Sequence, residues 1–133
     1  MITEEERNTL IEYRLQQAKE TIEEADILIA KNKYRAAVNR IYYGMFYSLL
    51  ALALKYKYES SKHQQLLGWF NKNFIHTKKI EIKYNKIIYT AFNKRNISDY
   101  DTFIEFTETD ILSMFYDMKD FIAAIENFIN SEK

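Results

Sequence analysis

Apolar residues recur along this chain in steps of three and four, the spacing of one face of an α-helix. Ile11, Leu15, Ala18, Ile22, Ala25 and Ile29 are spaced 4-3-4-3-4, which predicts a continuous amphipathic helix from about Glu4 to Lys31. Thr3 and Glu6 form a T-x-x-E capping box at its start, three Glu occupy the positive first turn, and Asn32 is a plausible C-cap. A second stripe, Val38, Ile41, Met45, Leu49, Leu52 and Tyr56, predicts a helix from about Tyr34 to Tyr56. Tyr42, Phe46 and Ala53 widen this stripe, which marks the helix as central in its bundle.

After a loop near Lys57–Ser61, a third helix starts with Ser60 or Ser61 as N-cap and carries His63, Leu67, Phe70 and Phe74 inward. A polar turn, His76–Lys79, precedes a fourth helix. There Ile80, Tyr84, Ile87 or Ile88, and Ala91 or Phe92 face the core, and Arg95 falls on the same stripe. Asn96–Phe106 has no helical period and reads as an ordered loop. Thr107 then caps a fifth helix to about Asn130, with Ile111, Phe115, Met118, Ile122, Ile125 and Ile129 again at 4-3-4-3-4. The expected fold is all-α: one domain over residues 1–133, an antiparallel up-and-down bundle of about five helices.

Composition agrees with this pattern. The chain has no Pro and only two Gly, which favours long helices, and 11 Tyr plus 9 Phe supply an aromatic core. The absence of Cys excludes disulfides and thiol chemistry. The acidic, polar start does not read as a signal peptide, and the apolar run around Ile41–Leu54 is too short to span a bilayer. A cytoplasmic protein with no membrane contact is expected.

The zero net charge conceals a strong segregation. Residues 1–30 hold three basic and eight acidic side chains, residues 31–95 fourteen and two, and residues 96–133 two and nine. Either the basic middle pairs with the acidic ends inside the bundle, or it offers a face to phosphates.

The chain lacks a Gly-rich phosphate loop, metal-ligand spacing and a Ser-His-Asp arrangement, so no metal or cofactor is expected. The informative residues are polar ones on apolar stripes. Arg40 sits in the middle of the second helix, with Tyr43 and Tyr47 at i+3 and i+7; it needs an internal partner, for which Asp99 and Asp101 are candidates, or a phosphate. His63 is either a packed histidine or a ligand and proton-transfer group. Arg95, Asp99 and Tyr100 are either helix-end residues or a fixed polar constellation.

Three blocks resemble the HEPN domain family: AAVNRIYYGMFYSLLALAL with its A-x3-R-x-YY-x2-FY pattern, SSKHQQLLGWFNKNFI, and RNISDYDTF with its Arg-x3-Asp-Tyr turn. They occur in the family's order, and the resemblance spans roughly residues 10–130. It implies a five-helix bundle that commonly forms homodimers, a polar groove near the dimer interface, and association with nucleotides or RNA. It also implies a partner nucleotidyltransferase chain in toxin–antitoxin or stress-response pairs. Many members are metal-independent ribonucleases with an Arg-x4–6-His motif. Here Arg95 carries over, but Tyr100 stands where His would be, and no His follows. A phenol is a poor general base at neutral pH. The resemblance thus implies a binding module whose groove is lined by Arg40, Tyr43, His63, Arg95, Asp99 and Tyr100. The alternatives are an endoribonuclease with an altered site, using Arg95 with Tyr100 or His63, and a purely structural interaction module. A loop Tyr100 could also accept a covalent modification.

Overall fold

The computed structural model describes residues 1–60 and 62–132. Five α-helices form the bundle: α1 (Glu4–Ala30), α2 (Tyr34–Lys55), α3 (His63–Phe70), α4 (Ile82–Tyr100) and α5 (Glu108–Ser131). A π-helical turn, Asn71–Ile75, extends α3. The predicted all-α fold is what the chain adopts. Among the described residues no helix is long and apolar enough to cross a membrane.

Helix ends follow the local chemistry. At the start of α1 the Thr3 hydroxyl accepts from Glu6 N–H and the Glu6 carboxylate accepts from Thr3 N–H, so the predicted capping box is formed. Asn32 follows α1 with a left-handed φ of 59°, and the Lys33 and Asn32 N–H groups return to the Leu28 and Ile29 carbonyls, both at 2.9 Å. The sharp reversal lays α2 antiparallel to α1. The same closure ends α2, with Lys57 at φ 58°.

α2 is the central element, as its wide stripe predicts. Val38, Ile41, Tyr42, Leu49, Ala51 and Leu52 are inaccessible to solvent, and α1, α4 and α5 pack around them. Each fully buried aliphatic side chain contributes about 1.5–3 kcal/mol relative to exposure. Gly44 of α2 sits against both α1 and α5: a Cβ there would meet Met118 Cε and lie 3.3 Å from Thr21 Cγ2.

Two predicted boundaries need correction. Helix α3 starts at His63, and its N-cap is Lys62 without a side-chain cap bond. Ser60 instead accepts from Lys62 N–H and donates to Gln65 Oε1; Ser61 lies outside the described residues. Asn96–Tyr100 is not loop but the last turns of α4. Apolar periodicity misses this segment because polar bonds hold it. Arg95 and Asp99 pair at i,i+4, and the Arg35 guanidinium from the first turn of α2 donates to the carbonyls of Ser98, Asp101 (3.1 Å) and Ile104 (3.0 Å). These are carbonyls at a helix C-terminus and in the following loop, where a cation is favourable.

The charge segregation is used in the packing. Arg40 meets Glu24, Lys57 meets Glu4 and Lys83 meets Asp120, each joining the basic middle of the chain to an acidic outer helix. Exposed pairs of this kind contribute little stability individually.

Arg35→Ala removes all three carbonyl contacts at once. Amide exchange at Asp101, whose N–H bonds Ile97 O, is expected to speed up by about tenfold, roughly 1.4 kcal/mol of local protection. Unchanged exchange there would show that the turn stands without Arg35.

Candidate functional site

Three helices bring polar and aromatic groups to one cleft. From α2 come Tyr42, Tyr43 and Phe46, which share a face at i, i+1 and i+4. The first residue of α3 contributes His63, and α4 contributes Phe92 and Arg95, one turn apart. The cleft, about 390 Å³, is lined by Lys62, His63, Gln64, Gln65, Phe92, Arg95 and Asn96.

His63 is partly buried among aromatic rings. Its ring stacks on Phe46 with centroids 4.2 Å apart and planes 17° from parallel, and it meets the edge of Tyr43 at 5.8 Å. Nδ1 lies 2.7 Å from the Tyr42 hydroxyl oxygen. Burial lowers the His63 pKa from the usual 6.5, and the positive charge of Arg95 lowers it further. The imidazole is therefore neutral at physiological pH. Burial pushes the Tyr42 phenol well above its ordinary value; Arg95 opposes that shift, and the phenol stays protonated.

Arg95 lies over two tyrosine rings, with Cζ 5.3 Å from the Tyr43 centroid and 5.7 Å from that of Tyr42. Its side chain is only 20% exposed. Nε lies 3.3 Å from Asp99 Oδ2, close enough for charge attraction. Yet the buried Nε has no well-aligned hydrogen bond, and Nη1 reaches Asn96 Oδ1 only at 3.5 Å. A guanidinium has five N–H donors; apart from the buried Nε and the Nη1 contact with Asn96, those of Arg95 are open to solvent or a ligand. Guanidinium donors left open at a cleft suit a phosphate oxygen.

The residues singled out in the sequence divide accordingly. His63, Arg95 and Tyr43 come together, and Asp99 joins them through its pair with Arg95. Arg40 does not pair with Asp99 or Asp101, as the sequence suggested. Its partner is Glu24 on α1 at 3.2 Å, because Arg40 lies on the side of α2 that faces α1. Tyr43 still links the two arginines, since Arg40 Cζ lies 5.6 Å from the same ring. Tyr100 stands apart: it ends α4, is 88% exposed and makes no hydrogen bond or aromatic contact among the described residues.

Sequence reasoning placed Tyr42 in the core and missed that its hydroxyl reaches His63. It also missed Arg35, for which a signal exists: a cation in the positive first turn of a helix is unfavourable unless something distant holds it. Arg35 borders a larger groove of about 750 Å³, but there three of its donors are already taken by backbone carbonyls.

Comparison with known proteins agrees on the family. A family model described as HEPN domain matches residues 11–128. A Thermotoga maritima protein named "UPF0332 protein" is 34% identical over 128 residues, covering 96% of this chain and 97% of its own. Two Methanocaldococcus jannaschii proteins, each named "Putative toxin", are also similar. One is 36% identical over 71% of this chain and 65% of its own length, the other 34% over 92% and 87%.

The depressed His63 pKa has a signed consequence. Between the folded value and 6.5 the unfolded chain binds more protons at this site, so stability rises with pH through that window and is lost as pH falls. Histidine NMR titration should place His63 below 6.5, and Arg95→Gln should raise it only partway, since burial is the larger cause. A wild-type value at or above 6.5 would contradict this site geometry.

Proposed function

Because the chain belongs to the HEPN domain family, we propose that it is the toxin-type member of a two-component module and holds the phosphate of a nucleotide or RNA between Arg95 and His63. The observation that carries this reading is the state of Arg95: a partly buried guanidinium, its side chain 20% exposed, lining a cleft beside His63 with donors that no protein group fills. Lys62 and the amides of Gln64, Gln65 and Asn96 line the same cleft and add donors suited to a sugar-phosphate. Names of relatives support the toxin part of the reading. A separate nucleotidyltransferase chain as partner, and a homodimer as the working state, belong to the same proposal. Exposed Leu10 and Tyr13 on α1 offer apolar area for self-association.

A second reading, a metal-independent endoribonuclease, draws on the nearness of His63 to Arg95. It needs His63 to accept a proton from a ribose hydroxyl, in place of the histidine that Tyr100 replaces.

One set of samples separates these. Fluorescence anisotropy with a labelled oligoribonucleotide should show binding that weakens with added salt, because phosphate contacts release counterions. Arg95→Ala should weaken it by about tenfold or more, the size of one charge-assisted contact. The RNA should remain intact in EDTA, and light scattering on the same samples should give the dimer mass. No binding at low salt removes the phosphate reading, and a monomer removes the dimer. Cleavage abolished by Arg95→Ala would establish the second reading instead.

A further inference from the structure

The Tyr42 hydroxyl is the one polar group behind this cleft whose role the phosphate reading leaves open. Its residue is inaccessible to solvent, packed among Tyr43, Phe46, His63 and Phe92. Its one hydrogen-bond contact among the described residues is His63 Nδ1, at 2.7 Å. Two proton arrangements fit that distance. If Nδ1–H donated to the phenol oxygen, the hydroxyl proton would need a second acceptor, and none of the described residues supplies one. An unmade bond at a buried hydroxyl costs about 1–3 kcal/mol. If the hydroxyl donates to the Nδ1 lone pair, both groups are satisfied.

We infer that Tyr42 is the positioning residue of the cleft: its hydroxyl donates to His63 Nδ1, leaves the imidazole proton on Nε2, and makes His63 a hydrogen-bond donor beside Arg95. The two ring nitrogens point in nearly opposite directions, so a ring anchored by Nδ1 at its buried side turns Nε2 outward. Nε2 has no hydrogen-bond partner among the described residues and is not a buried orphan. Stacking on Phe46, with centroids 4.2 Å apart, limits tilt of the ring plane, and the Nδ1 contact limits its rotation within that plane.

The chemical consequence deepens the phosphate-binding reading, on which it rests for its ligand. A neutral imidazole with its outward nitrogen protonated cannot take a proton from a ribose hydroxyl through that nitrogen. Arg95 lines the same cleft, so the two side chains offer donors to an anionic oxygen there. Such a site grips a phosphate ester and leaves the ester intact. Tyr42 would thus set the site for retention rather than cleavage.

Long-range 15N–1H correlation spectra of the full chain at neutral pH read the tautomer directly, with exposed His76 as the internal comparison. The expected pattern for His63 is an acceptor-type Nδ1 and a protonated Nε2. Tyr42→Phe, which preserves the ring, should replace it with a tautomer mixture. Inorganic phosphate should shift the wild-type Nε2–H signal and bind the variant about fivefold more weakly, roughly 1 kcal/mol. A proton on Nδ1 in the wild type would overturn the inference, and this arm needs no variant to fold. A folded variant with an unchanged His63 pattern would overturn it as well. An Nε2–H tautomer that phosphate fails to shift would remove phosphate binding and leave the positioning by Tyr42 standing.

Discussion

A guanidinium laid against two tyrosine faces is the contact on which the rest of this site depends. Arg95 approaches the core stripe of α4 because Tyr42 and Tyr43 of α2 offer it π-electron density in place of water. The rings attract the charge but accept few N–H bonds, and Asp99 attracts it without a well-aligned bond to Nε. The arginine is therefore held in place with much of its hydrogen-bonding capacity unspent. That capacity faces a cleft where His63 is kept neutral by burial and by Arg95 itself. Packing, electrostatics and chemistry meet in the same few atoms.

The fold serves this arrangement by fixing three helix segments relative to one another. α2 is buried around most of its circumference, so its aromatic residues are rigid supports. The start of α3 sets His63, and the last turns of α4 set Arg95 and Asp99. Arg35 holds those last turns by their carbonyls, which lets a helix end persist with little apolar surface of its own. Basic residues in the middle of the chain are partly consumed by such tasks: Arg40, Lys57 and Lys83 each reach an acidic outer helix. Lys62 keeps its position at the cleft instead.

Much of this was legible in the sequence, and the remainder was hidden for physical reasons. The two 4-3-4-3-4 stripes gave α1 and α5, because long amphipathic helices write their buried face directly into residue spacing. The unusual positions of His63 and Arg95 on apolar stripes pointed to the cleft. The end of α4 is not legible in apolar spacing because Arg35, 63 residues before Ser98, replaces the apolar face there, and spacing records only local order. Arg40 was given the wrong partner for a similar reason: its acidic neighbour comes from α1, across a helix pair. Tyr42 looked like core because its ring is core; only the tip of the side chain carries chemistry, and a hydrophobic pattern does not resolve atoms. The resemblance to the HEPN family implies the fold, and Tyr100 in the place of the motif's histidine favours binding over catalysis.

The most direct test is a crystal structure of the wild-type chain grown with adenosine 5′-monophosphate. The phosphate is expected between Arg95 and the outward nitrogen of His63, within hydrogen-bond distance of both, with Tyr42 and Tyr43 unmoved behind them. A nucleotide found only on exposed lysines, with the cleft holding nothing but water, would contradict it.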